Sequence, residues 1–132
     1  MHRADPKILE VFQALADSHR LRIVTLMLLS KAEVCLCDLS ETMDEPEYKL
    51  SRHLKVLKNA GLISSFRSGK WIYHSLVKDR SLKGTYDSIK NSPEFKDSTS
   101  ISYLKKLRKR KAILKDRNCN GLTKRALDSK LR

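Results

Sequence analysis

Apolar positions recur at helical spacing through most of the chain, are interrupted by capping and turn residues, and switch once to strand-like runs. From Pro6, "PKILEVFQAL" carries Ile8, Leu9, Val11, Phe12 and Leu15 with a period near 3.6, and proline is tolerated in a first helical turn. Asp17 or Ser18 caps the next segment, "HRLRIVTLMLL", whose apolar residues wrap most of its circumference, so this helix is expected to be central. "VCLCDLSETM" reads as a short amphipathic helix and "DEP" as a turn. "EYKLSRHLKVLKNAG" reads as a further helix, with Pro46 in its first turn and Gly61 as its stop. "LISSFR" and "WIYHSLV" are β-rich runs around the tight turn "SGK" and predict a hairpin.

Two helices joined by so short a turn form a helix-turn-helix, and a basic-tipped hairpin directly after it completes the order of a winged helix. The expected fold is therefore mainly α with a small β-hairpin. Beyond Val77, "DRSLKGTYDSIKNS" predicts a helix despite Gly84, and "SPEFKDSTS" predicts a loop. "SISYLKKLRKRKAILKD" predicts a helix carrying Tyr103, Leu104, Leu107, Ala112, Ile113 and Leu114 within a dense basic run. "RNCNGLTKRALDSKLR" supports no element. No stretch approaches the roughly eighteen apolar residues of a membrane span, and "MHRADPKILEVF" lacks a signal-peptide core. A cytoplasmic protein without a membrane partner is expected.

Charge sharpens this division. The chain of 132 residues carries a formal charge of +13, which favours polyanionic partners, nucleic acid above all. Residues 94–132 hold 13 Lys/Arg against 4 Asp/Glu, whereas residues 1–93 hold 15 against 11. We expect a winged helix-turn-helix domain over residues 1–92 and a basic extension, partly helical or disordered, over 93–132. That extension has three readings: a solvated helix, an electrostatic clamp on phosphates, or a dimer helix whose Leu104, Leu107 and Leu114 pack on a partner.

At about 100° per residue, Leu50, Leu54 and Leu57 form one stripe of the second helix of the helix-turn-helix. Tyr48, Arg52, Lys55 and Asn59 stand opposite, with Lys49 and Ser51 beside them. These residue types bond phosphates and base edges, and the N-terminal half of such a helix meets the major groove. Arg67, Ser68 and Lys70 are expected at the wing tip, within reach of phosphates. Trp71 and Tyr73 are assigned to packing, and His53 to the core edge or a phosphate contact rather than to a metal.

"FQALADSHRLRIVTLML", "EVCLCDLSETM", "KLSRHLKVLKNAGLI" and "RSGKWIYHSL", in that order, resemble the ArsR/SmtB family of metalloregulatory repressors, and the cysteine motif resembles its arsenical-sensing branch. The resemblance implies a homodimeric repressor on a palindromic DNA operator, released by As(III) or Sb(III), with dimer contacts near Ile8–Leu15 and Leu82–Ile89. Two departures stand out: Ser40 occupies the position of the branch's third cysteine, and "SLKGTYDSIKNS" offers no histidine for a second metal site.

Three cysteines do not make a disulfide framework in a reducing compartment, which leaves thiol chemistry or packing. On a regular helix, Cys35 and Cys37 point about 200° apart, so gripping one ion would require unwinding the helix start. That conflict predicts coupling between inducer and DNA. Thiolates favour soft ions, and with no His or carboxylate expected nearby, zinc, calcium and magnesium fit poorly. As(III) takes three sulfurs, and Cys119, hydroxide or an exogenous thiol are the candidates for the third. Cysteine oxidation or another thiophilic metal is the alternative signal. A thiol-disulfide oxidoreductase is remote, since C-x-x-C and a βαβ pattern are both missing, and no enzyme activity is expected.

Overall fold

The structure is a computed structural model that describes residues 5–117. Helices α1 (Ile8–Leu15) and α2 (Ser18–Ser30) lead to a two-residue strand β1 (Val34–Cys35), then α3 (Leu36–Met43) and α4 (Glu47–Asn59). The hairpin β2 (Ile63–Ser68) and β3 (Trp71–Leu76) follows, then α5 (Lys83–Lys90) and α6 (Ser98–Arg117), with 3-10 turns at Arg80–Leu82 and Pro93–Lys96. The expected winged helix is the observed fold.

Local chemistry explains the boundaries. Asp17 caps α2 by accepting from the amides of His19 and Arg20 at 2.9 and 3.1 Å. Pro46 is the N-cap of α4 rather than a residue of its first turn. Beyond the end of α4, Gly61 takes φ +83°, which a side chain would resist. Gly69 turns the hairpin at φ +65°.

The sheet is antiparallel in the order β1-β3-β2, with Val34 opposite His74 and Cys35 opposite Tyr73. β1 corrects the sequence reading, which had Val34 and Cys35 inside a helix. Two residues are too few for a period, and only their pairing with β3 makes them a strand.

Ile23, Val24, Leu26 and Met27 of α2 are buried at the centre of the core, and Leu50, Leu54 and Leu57 of α4 pack there as one stripe. Leu104 and Leu107 of α6 enter the same core, Leu107 with no exposed surface. These two leucines are therefore internal contacts, against the reading that gave them to a partner. At the start of α6, Arg22 Nη1 donates to Asp97 (3.0 Å) and Ser100 Oγ (2.6 Å), fixing the helix to α2. On α1, by contrast, Ile8, Leu9 and Phe12 are 56–66% exposed. No helix among the described residues is long and apolar enough to cross a membrane.

Candidate thiolate site and nucleic-acid face

Cys35 is the last residue of β1 and the N-cap of α3, with extended backbone (φ −100°, ψ 169°). Cys37 is the second residue of the helix. The bend between strand and helix turns both side chains to one side, and their sulfurs lie 2.7 Å apart. Both are free thiols, Cys35 buried and Cys37 half-buried. The 200° separation expected of a regular helix does not apply, because Cys35 stands outside the helix. The sulfurs meet without unwinding α3.

Asp38 organises the turn. Its carboxylate is 2% exposed, accepts the Cys35 amide at 3.0 Å, and receives Arg110 Nε at 2.8 Å and Lys111 Nζ at 3.2 Å. Burial opposes its charge, but these cations and the amide hold its pKa below the usual carboxylate range. Asp38 also lies with both sulfurs inside a 4.8 Å group, so a carboxylate does stand near the thiols, contrary to the sequence reading. Its oxygens are already committed to donors.

The two thiols are polarised in opposite directions. Donation to Cys37 and burial push the Cys35 thiol up. Acceptance from Cys35 brings Cys37 down to about 7, with help from Arg110. Arg110 and Lys111 were missed from sequence because they lie more than seventy residues from the motif. Tyr73 and Trp71 complete the surroundings, Tyr73 buried against Cys35 and Lys111 Nζ 5.9 Å from its ring centre. Ser40, at the position of the branch's third cysteine, donates its Oγ to the Glu45 carbonyl at 2.6 Å, and Cys119 lies outside the described residues.

On α4, Tyr48 is 70% exposed, and Ser51, Arg52, Lys55 and Asn59 are also exposed. Lys49 is half-buried and bonded to Glu45 at 3.1 Å. At the wing, Arg67 and Lys70 are exposed and Ser68 is half-buried. Of these cations, Lys55 of α4 and Lys70 of the wing line one cavity together.

Asp17, His19 and His53 form a second group with ligand-type atoms within 4.8 Å. Arg20 Nη1 lies 3.3 Å from His53 Nδ1, and His19 Nε2 lies 3.0 Å from Glu45 Oε2. The group ties α2 to α4, in keeping with His53 at the core edge.

The described sequence pattern of the bacterial regulatory protein arsR family matches residues 17–65. The chain is similar to the arsenical resistance operon repressor of Escherichia coli, 41% identical over 68 residues, covering 52% of this chain and 57% of that protein. It is 34% identical over 74 residues to an uncharacterised HTH-type transcriptional regulator of Methanocaldococcus jannaschii, covering 56% of this chain and 82% of that one. Among solved structures it is similar to the transcriptional regulator HlyU of Vibrio vulnificus, with a TM-score of 0.52 at 24% identity, covering 62% of this chain and 82% of that chain.

Proposed function

The chain belongs to the arsR family of bacterial regulatory proteins, and from that premise we propose that it is a DNA-binding transcriptional repressor released from its operator when As(III) or Sb(III) binds Cys35 and Cys37. The family is one of transcription regulators rather than an enzyme class, which weighs against thiol-disulfide catalysis. The chain spans 57% of the length of the E. coli repressor, so operator, inducer and assembly are all part of the proposal.

The observation that carries it is the 2.7 Å approach of two sulfurs at the start of the first helix of the helix-turn-helix. Soft thiolates suit a soft trivalent ion. An ion between them would bond one residue of β1, paired with the wing, and one of α3, packed on the recognition helix α4. Separating the sulfurs to ligand geometry would therefore strain wing and recognition helix against each other. This route replaces helix unwinding as the link between inducer and DNA. A coupling of about 1–3 kcal/mol would weaken operator binding about 5- to 150-fold.

Tyr48, Lys49, Ser51, Arg52, Lys55 and Asn59 of α4 are the proposed readers of the operator, with Arg67, Ser68 and Lys70 at the wing. One such domain covers a half-site, so a palindromic operator calls for a C2 homodimer. The exposed Ile8, Leu9 and Phe12 supply an apolar surface for it.

The test is an anisotropy titration of operator DNA, selected by the protein from a random pool, against As(III). Cys35→Ser and Cys37→Ser should bind DNA as wild type does and fail to release it. If the double variant still dissociates on adding As(III), the thiolate site is wrong. Oxidation is the second reading, favoured by the lowered Cys37 thiol beside Cys35. Release by peroxide, reversed by dithiothreitol, without any response to As(III) would select it.

A further inference from the structure

The thiol pair opens onto a cavity of about 470 Å³ between α3, α4 and the wing. Cys35 and Cys37 line it together with Lys55 and Lys58 of α4, Lys70 at the hairpin turn and Trp71 of β3. Of the remaining titratable side chains on its wall, Glu47 is the single carboxylate, and burial lowers His74 to about 4, so His74 is uncharged at neutral pH. Three lysines against one carboxylate give the cavity a positive wall. Beside the sulfurs, the Trp71 indole Nε1 is buried with no acceptor among the described residues.

Trivalent arsenic forms three bonds, and two sulfurs converge here. The cavity begins at those sulfurs and has room for more than a hydroxide. We propose that the third ligand is an exogenous small thiol bearing carboxylates, seated in this cavity with its carboxylates on Lys55 and Lys70. The inference rests on the As(III) reading above and names what completes that site. Arsenous acid, the two protein thiols and the small thiol combine so that three As–O bonds break and three As–S bonds form. The three thiol protons leave in three waters, and arsenic stays trivalent.

The consequence for DNA is electrostatic. Lys55 and Lys70 belong to the face assigned to phosphates, so a dicarboxylate seated between them competes with the DNA backbone for the same charges. Release would then come from occupancy of the groove as well as from strain at the turn.

Native mass spectrometry of the full chain carrying Cys119→Ser, with arsenite and mercaptosuccinate, mercaptoethanol or cysteamine, separates the possibilities. Mercaptosuccinate should be retained as a protein–arsenic–thiol adduct at about tenfold lower thiol concentration than neutral mercaptoethanol, two exposed ion pairs being enough for that ratio. Cysteamine should be the poorest. Lys55→Ala with Lys70→Ala should abolish the preference while arsenic is still bound, and Trp71 fluorescence should change with the dicarboxylate adduct only. Equal retention of all three thiols, or arsenic held with no added thiol, overturns the inference and leaves the thiolate site standing. Failure to retain arsenic under any condition overturns the parent reading as well.

Discussion

Arg110 Nε donates to the Asp38 carboxylate across 2.8 Å, and this bond joins α6 to the turn that holds both sulfurs. Asp38 is 2% exposed, so its charge is stable only while its donors remain. Arg110→Ala leaves Lys111 alone to balance it and is expected to cost on the order of 3 kcal/mol, read by urea unfolding. The same variant should raise the Cys37 thiol, because the guanidinium favours its thiolate. A loss of stability with Cys37 reactivity unchanged would show that Arg110 is a structural clasp without influence on the site.

The contrast between α4 and the Asp38 clasp shows what local sequence carries. Leu50, Leu54 and Leu57 face the core because a helical stripe is a property of neighbours along the chain, legible without the fold. Gly69 marks its turn for the same reason. Cys35 was misread because its conformation is set by pairing with Tyr73, far away in sequence. The whole geometry of the thiol pair follows from that one pairing. Asp38 in an acidic motif gave no sign of partners, and none of the three readings of the basic run of α6 joined it to that motif. Their meeting depends on Leu104 and Leu107 seating α6 in the core, a tertiary fact with only a faint local signature. The resemblance to a family pointed to the two cysteines, but the charge balance around them became visible only in three dimensions.

His74 supplies a pH dependence with a definite sign. Burial, with a contribution from Lys58, lowers its pKa from 6.5 to about 4 in the folded chain, and Ser65 Oγ lies 2.8 Å from its Nδ1. The unfolded chain therefore takes up this proton at higher pH than the folded one does. The contribution of His74 to stability is complete above pH 6.5 and falls as pH drops from 6.5 towards 4. His74→Asn should remove that part of the decline. Thermal melts of both proteins at pH 7.5, 6 and 5 should show the gap between them narrowing as pH falls. A constant gap would mean that His74 does not stay neutral in the fold.

Cys37, lowered to about 7, and Cys35, pushed up, should separate kinetically. Iodoacetamide at pH 7.5 should alkylate Cys37 first, with a rate that rises through pH 7 and then levels as the thiolate saturates. Modification of Cys35 should be much slower because it is both buried and protonated. Peptide mapping after short labelling reads the order directly. Equal labelling of the two cysteines would contradict the donation from Cys35 to Cys37.

The exposed cations of α6 are testable without disturbing the core. Deleting residues 105–132 would remove Leu107 and confound binding with unfolding, whereas Lys105 and Arg108 are exposed and can be neutralised alone. If α6 clamps phosphates beside the operator, Lys105→Gln with Arg108→Gln should weaken binding to all DNA. Each lost phosphate contact reduces the slope of log K against log salt by about 0.9, so the double variant should flatten it by about 2 per protomer. Titrations between low and moderate salt on specific and random DNA give both quantities. An unchanged slope would assign these side chains to a solvated face, and the helix would then serve the site only through its core leucines and its hold on Asp38.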